Sequence, residues 1–185
     1  KKKVQKLDKL WIDIGAKDKE EAEKKVSIGD PITFNPGMEE LNENIVTTKG
    51  TDNKAGVFVA GALLESLKDI ETAVSVYAVA SVQEEIGLRG AITSAYGINP
   101  DIGIAIDVTH ASDYPFMSKD KLGEISLSKG PVIAVGPNIN PQVFKMLKEA
   151  ASELDLNYQL EAAPRGTGTD ANAIQITRSG VAAGL

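Results

Sequence analysis

Two adjacent carboxylates, Glu84 and Glu85, stand just after an apolar run at residues 74–82. That run is rich in β-branched and aromatic residues, which predicts a strand buried on both faces. Open α/β sheets bind their ligands at the carboxyl ends of the strands. Adjacent acids at such a point repel each other unless a cation lies between them, and a bound metal ion is the simplest such cation. The alternative is a pair of solvated loop charges, since Glu is almost never buried unpaired.

Two further acids stand at the ends of predicted elements. Asp52 precedes a helical pattern, and Asp107 follows a second apolar strand pattern at residues 102–106. Each has an ordinary alternative. Asp52 could be the N-cap of the helix, because Asp is favoured in that position. Asp107 could begin a turn with Thr109, because Asp is also a favoured turn residue. Taken together in one α/β domain, the acids fit a carboxylate-rich metal site. Such oxygen ligands suit Zn, Mn, Co or Mg, and the choice among these metals depends on the nitrogen ligands.

The composition argues against several classes of protein. The chain carries 26 Asp and Glu against 20 Lys and Arg, a net charge of −6, which disfavours a nucleic-acid partner. It has no cysteine, so it has neither a disulfide framework nor a thiolate site. No apolar run approaches the roughly 20 residues of a membrane span, and no apolar segment follows the basic start. We therefore expect a cytoplasmic protein without a membrane partner.

The order of the predicted elements gives a layered α/β domain preceded by a small β-rich module. Residues 1–47 form the module, which has too few apolar residues for a core of its own. It contains strand patterns at 11–14, 32–34 and 44–48 and a charged helix at 18–25. From residue 48 onward helices alternate with strands, which is typical of an α/β domain. The helices are predicted at 57–68, 90–96, 141–154 and 170–176, and the strands at 74–82, 102–106, 131–135, 158–162 and 181–185. Because the last strand pattern stops without a cap or turn, we expect the domain to be truncated at its C-terminus.

Four motifs, in this order and at these separations, resemble a known family: TTKGTDNKAG, VQEEIGLRGA, AIDVTHA and GTGTDANAI. The family is that of the dinuclear-metal aminopeptidases, which includes glutamyl and deblocking aminopeptidases and the tetrahedral (TET) peptidases. The resemblance covers nearly the whole chain. It implies a zinc-peptidase-like layered α/β catalytic domain at residues 48–185. It also implies that residues 1–47 are part of a small PDZ-like β-barrel domain that makes dimer contacts.

The resemblance assigns roles to the acids and implies two divalent metal ions, Zn or Co. The residue matching Asp52 bridges the two ions and precedes a cis peptide bond, Glu85 binds one ion, and Asp107 binds the other. Glu84 is the general base. Two metals about 3.5–4 Å apart clamp a water and the scissile carbonyl. The only histidine, His110, matches a position that is not a ligand, and we expect it to satisfy local hydrogen bonds.

A Gly-rich loop at residues 165–170 precedes the last predicted helix. We expect Thr169 and Asp170, at the end of this loop, to bind substrate, because carboxylates near the site can recognise the free α-amine of a peptide. The residues leave open a second interpretation. In it the loop is a plain connection and Asp170 caps the helix, since Asp is a leading cap residue.

The function implied is a metal-dependent aminopeptidase that removes N-terminal residues from peptides through a metal-activated water, with Glu84 as general base. The family builds homo-oligomeric shells from dimers, so we expect a homo-oligomer. The two histidines that the family uses as ligands fall outside these 185 residues. We therefore expect this chain by itself to bind metal weakly and to be inactive.

Two other functions compete with this one. The first is a catalytically incomplete fragment that acts only as a binding or oligomerisation module. The second is a glycoside hydrolase, because paired carboxylates do that work and some family members are labelled cellulases. Glycosidase carboxylates face each other across a sugar at about 5–9.5 Å, which the adjacent Glu84 and Glu85 cannot do. An aromatic content of 5% also disfavours a sugar-stacking groove.

Overall fold

The computed structural model describes residues 4–185, apart from the side chains of residues 121 and 122. The chain divides into two compact units, the first ending at Lys49 and the second spanning Gly50–Leu185. The sequence-based boundary between residues 47 and 48 lies slightly before this division. Of the helices that the structure describes, none has the length and hydropathy needed to cross a lipid bilayer.

The first unit contains one short helix and one hairpin. Helix α1 (Lys19–Glu23) begins after Asp18, whose Oδ1 accepts a hydrogen bond of 2.9 Å from Glu21 N, as expected of an N-cap. Strands β1 (Glu39–Asn42) and β2 (Ile45–Thr47) pair antiparallel. A single 3₁₀ turn lies at Leu7–Lys9. None of residues 4–49 is buried, so this unit has no core of its own.

The predictions for this unit are right for helix α1 and for the strand at 44–48, and wrong elsewhere. The segments 11–14 and 32–34 are not strands, and β1 was not predicted. Within the described residues neither segment pairs with a neighbour, and a strand forms only where a neighbour accepts its backbone hydrogen bonds. Trp11 and Phe34 are consequently 80% and 92% exposed.

The second unit alternates helices and strands, as predicted for an α/β domain. Its helices are α2 (Thr51–Leu67), α3 (Arg89–Ile98), α4 (Lys119–Leu122), α5 (Pro141–Glu153) and α6 (Asp170–Gln175). Its strands are β3 (Ile102–Ile104), β4 (Val132–Val135), β5 (Gln159–Ala162) and β6 (Ala182–Gly184). The first residues of a helix are determined by the local sequence, as α5 shows. For α5, Pro141 occupies the first turn, and Asn140 Oδ1 accepts hydrogen bonds from Gln142 N and Val143 N.

The strands pair in parallel, β3 with β6 and β4 with β5. A hydrogen bond of 2.9 Å from Ala134 N to Leu185 O joins β4 to the residue that follows β6. Helices α5 and α6 pack against these strands, and α3 packs against α6. The core between these layers consists of small and medium apolar side chains, among them Ala91, Ile133, Val143, Ala171 and Ala183. This packing fixes the ends of β3 and the start of α6, where candidate site residues lie.

The prediction of a strand at residues 74–82 that is buried on both faces is wrong. The segment forms no strand, and Val74, Tyr77 and Val82 are 69%, 64% and 66% exposed. The residue types favour a strand, but no other strand of the described chain takes up the segment's backbone hydrogen bonds. The neighbouring β3 shows the same effect in part, because Ile102 and Ile104 are 45% and 49% exposed and β3 pairs only with β6 among the described strands.

Candidate active site

Glu84 and Glu85 lie in a tight turn between the segment 74–82 and helix α3. The carbonyl of Glu84 accepts hydrogen bonds from Gly87 N at 3.0 Å and from Leu88 N at 2.9 Å, which closes the turn. Gly87 has φ +123°, a conformation that a side chain disfavours, so glycine is required there. Glu84 is half-buried and Glu85 is exposed. The turn therefore presents both carboxylates after the segment 74–82, although that segment is not the predicted strand.

Asp52 is not a helix N-cap, so the alternative interpretation of this residue is wrong. The N-cap of α2 is Gly50, and Asp52 and Asn53 have non-helical backbone angles within the first turn. The peptide bond between them is cis, which confirms the prediction for this bond. Asp52 is exposed. The carboxylate of Asp52 therefore does not cap helix α2.

Asp107 stands three residues beyond the last residue of β3. Its Oδ1 accepts a hydrogen bond of 2.8 Å from Val108 N, and Thr109 donates its hydroxyl to Glu161 Oε2 at 2.7 Å. The predicted turn partner Thr109 therefore bonds to another residue. The carbonyl of Ile106 accepts a hydrogen bond of 2.7 Å from Asn53 Nδ2. This bond links the segment that carries Asp107 to the segment that carries Asp52.

Asp170 is the first residue of α6, and it does not cap that helix. The N-cap is Thr169, whose side chain makes no capping hydrogen bond and instead lies 2.9 Å from the hydroxyl of Thr167. Asp170 Oδ2 accepts a hydrogen bond of 2.5 Å from Ser81 Oγ. Asp170 Oδ1 is buried and has no hydrogen-bond partner in the described structure. The interpretation of Asp170 as a helix cap is therefore wrong.

Five carboxylates from four parts of the chain are linked by their effects on the pKa values of Glu84 and Asp107. Burial raises the pKa of Glu84, and the negative charges of four other residues raise it further: Asp107, Asp170, Glu85 and Asp52. Burial also raises the pKa of Asp107 against the opposing hydrogen bond from Val108 N, and the charges of Asp52 and Asp170 add to that rise. Mutual repulsion of this kind is relieved by a cation. We call these five residues the acidic cluster.

The acidic cluster matches a divalent cation in charge and in donor type, because carboxylate oxygens are ligands for Zn, Co, Mn and Mg. The buried, unpartnered Oδ1 of Asp170 also fits a site that lacks a component. Among the described residues, however, no group of three or more acidic or histidine side chains could by itself hold a metal ion. His110 is exposed. The acidic cluster therefore offers donors of the right type but does not by itself form a metal site.

Two residues of this region were not singled out from the sequence: Asn53 and Ser81. Asn53 stands next to Asp52 in the motif TTKGTDNKAG, and a polar neighbour of a candidate ligand is a signal that could have identified it. Ser81 is one of two polar residues in the apolar run at 74–82. Its partner, Asp170, lies 89 residues away, and no local pattern predicts such a contact.

A protein-family model described as M42 glutamyl aminopeptidase matches residues 1–185. The lysyl aminopeptidase of Pyrococcus furiosus is 42% identical over 179 residues, which are 95% of this chain and 49% of that protein. A TET aminopeptidase from a marine sediment archaeon of the Thaumarchaeota is 32% identical with a TM-score of 0.90, over 99% of this chain and 52% of the other.

A further solved structure is that of the TET1 peptidase of Pyrococcus horikoshii, which can assemble into a tetrahedron or a large octahedral shell. It is 31% identical to this chain with a TM-score of 0.68, over 93% of this chain and 50% of that one. The chain thus spans about half the length of the relatives that it matches. The family model, the relatives and the mixed α/β fold agree with one another: this chain belongs to the M42 glutamyl aminopeptidase family.

Proposed function

We propose that the complete protein carrying this chain is a metal-dependent aminopeptidase that hydrolyses N-terminal residues from peptides. The observation that carries the proposal is the acidic cluster, in which the charges of Asp107, Glu85 and Asp52 raise the pKa of Glu84 although three separate segments carry these four residues. Membership of the M42 family supports the reaction class.

In this proposal the acids have distinct roles. Asp52 would be a ligand common to two divalent ions, Glu85 would be a ligand of one and Asp107 of the other, and Zn or Co are the metals proposed. When bound, such ions lower the pKa of water and polarise the scissile carbonyl. Glu84 accepts a proton from the attacking water at its carboxylate and returns it to the leaving amine. The raised pKa of Glu84 suits this task, because a base works best when its pKa approaches the working pH.

Thr169 and Asp170 are proposed to bind the N-terminal end of the substrate. Asp170 is not a helix cap, its Oδ1 has no partner in the described structure, and its charge acts on both Glu84 and Asp107. A carboxylate in that position can accept hydrogen bonds from the α-ammonium group of a peptide. Recognition of a free amine at one end of the cluster would restrict cleavage to the first residue.

The complete protein is further proposed to be a cytoplasmic homo-oligomer whose dimers build a larger shell. Residues 4–49 expose large apolar side chains, including Trp11 and Phe34, and contain no buried residue. Large apolar groups that stay exposed in one copy are typical of association surfaces. We assign this unit to a small β-barrel dimerisation domain, and the TET1 peptidase's ability to form shells supports the proposed homo-oligomer.

An assay of the complete protein tests the aminopeptidase proposal. Protein treated with a chelator and dialysed is given Zn²⁺ or Co²⁺, and hydrolysis of leucine, glutamate and lysine p-nitroanilides is measured beside that of N-acetylated leucine p-nitroanilide. We expect metal-restored hydrolysis of the substrates with a free amine and none of the acetylated one. Equal rates with and without metal, or cleavage of carboxymethylcellulose in place of the peptides, would reject the proposal. The 185-residue chain assayed alone is expected to be inactive.

A further inference from the structure

The side chain of Asn53 uses one half of its amide within helix α2 and the other half to bind a distant segment. Its Nδ2 donates to the carbonyl of Ile106 at 2.7 Å, across 53 residues of sequence, and its Oδ1 accepts from Gly56 N at 3.0 Å. A donor and an acceptor are both needed, so neither Asp nor Leu, although similar in size, can make the same pair of bonds. The amide is therefore a bridge between the start of α2 and the segment that follows β3.

The two ends of this bridge lie next to two acids of the cluster. Asn53 follows Asp52, and Ile106 precedes Asp107. Because a peptide unit is planar, fixing the carbonyl of Ile106 also fixes the direction in which the chain enters Asp107. Ile106 lies beyond Ala105, whose N–H makes the last of the parallel-strand bonds, to Gly184 O at 3.0 Å. The bridge therefore restrains the chain one residue beyond its last hydrogen bond to the neighbouring strand.

The space around Gly56 shows how closely the two segments approach at this point. A Cβ atom on Gly56 would lie 2.5 Å from the carbonyl oxygen of Ile106 and 2.6 Å from Oδ1 of Asn53. Contacts so short do not occur, so a larger residue at position 56 would push the two segments apart. Gly56 is buried. The local sequence therefore combines a bridging amide with the one residue that leaves room for it.

We propose that Asn53 is a positioning residue that fixes the carboxylate of Asp52 relative to that of Asp107, and thereby sets the affinity of the complete protein for divalent cations. The inference rests on the proposed function, since it takes these two acids as ligands. Residues that orient metal ligands typically change metal affinity or activity by about 10–100-fold when substituted. A purely structural amide would affect unfolding without changing cation affinity.

The test is a Co²⁺ titration of the complete, chelator-treated protein, followed by visible absorption and by calorimetry. Asn53→Ala is expected to weaken Co²⁺ binding by about 10–100-fold. The matched control is Asn140→Ala, which also removes two hydrogen bonds, those from Gln142 N and Val143 N at the start of α5. This control is expected to lower the melting temperature and to leave the Co²⁺ affinity within twofold of the wild type.

Gly56→Ala gives a second measurement, which does not depend on how Asn53→Ala folds. It is expected to weaken Co²⁺ binding as well, and the effects of the two substitutions should not add, because they disturb one contact. Co²⁺ affinities of Asn53→Ala and Gly56→Ala equal to that of the wild type would overturn this inference alone. An equal loss in Asn140→Ala would also overturn it. A wild-type protein that binds no Co²⁺ and hydrolyses no aminoacyl p-nitroanilide would reject the proposed function, and this inference with it.

Discussion

Ser81 and Asp170 are joined by a hydrogen bond of 2.5 Å from the serine hydroxyl to Oδ2 of the aspartate, although 89 residues separate them. Ser81 lies three residues before Glu84, and Asp170 begins α6. The bond therefore connects the segment that presents Glu84 to a helix packed on β3 and β6. It holds Asp170, whose Oδ1 has no partner in the described structure, within the acidic cluster.

Ser81→Ala should destabilise the second unit, because it leaves a partly buried carboxylate without its donor. Hydrogen bonds to charged groups contribute about 1.5–3 kcal/mol, and we expect a loss in that range. Urea unfolding of the 185-residue chain measures it. In the double variant Ser81→Ala with Asp170→Asn, a neutral amide replaces the carboxylate, so part of the loss should be recovered. A Ser81→Ala variant as stable as the wild type would show that the bond contributes nothing.

Glu84→Gln in the complete protein should retain metal and lose turnover. Glu84 is assigned to proton transfer, which contributes typically about 10²–10⁴-fold to the rate. Metal content by mass spectrometry and kcat for leucine p-nitroanilide are the two measurements. Glu153→Gln, an exposed change at the end of α5, is the control and should alter neither. Near-normal kcat in Glu84→Gln, or loss of both metals, would contradict the assignment.

The metal-free chain should become less stable as the pH rises above about 4.5, the ordinary value for Glu84. The folded state raises the pKa of Glu84 and of Asp107, so it binds protons more tightly than the unfolded state does. The stability that these groups contribute is complete below their ordinary pKa values and is lost as the pH rises through their raised ones. Urea unfolding in EDTA, from pH 4 to pH 7, should show a shallower decline for Glu84→Gln than for the wild type. Equal slopes would contradict the raised pKa.

The complete protein should be a homo-oligomer in solution. Trp11 and Phe34 belong to a unit in which none of residues 4–49 is buried, so association would remove large apolar side chains from water. Light scattering coupled to gel filtration gives the mass. Replacing Trp11 and Phe34 together by serine should lower it, whereas replacing the exposed Phe116 of the second unit should not. A monomeric mass for the wild type would rule the proposal out.

Much of the second unit could be predicted from residue patterns, because its elements carry their own signals. Pro141 and the apolar spacing after it predict α5, and the apolar runs at 131–135 and 158–162 predict β4 and β5. The pairing of elements is a tertiary property. The run at 74–82 has the residue types of a buried strand, yet no strand in the described chain pairs with it. In the first unit the patterns at 11–14 and 32–34 were misleading for the same reason.

The site was predictable to the extent that it depends on motifs. The positions of Glu84, Glu85 and Asp107 at the ends of extended segments follow from the sequence pattern, and the cis bond after Asp52 was expected from the resemblance. The contacts of Asn53 and Ser81 were not predictable, because each joins residues at least 53 positions apart through a single side chain. Nothing in the local sequence of either residue specifies its partner.

Anomalous diffraction from crystals of the complete protein, grown with Zn²⁺ and measured on both sides of the zinc absorption edge, tests the central claim most directly. The claim is that Asp52, Glu85 and Asp107 bind a pair of metal ions beside Glu84. We expect two anomalous peaks about 3.5–4 Å apart, with the Asp52 carboxylate between them, Glu85 at one peak and Asp107 at the other. A well-ordered structure in which these carboxylates lie more than about 10 Å apart would contradict the account, since a two-metal clamp is far narrower than that. Zinc bound only elsewhere would contradict it equally.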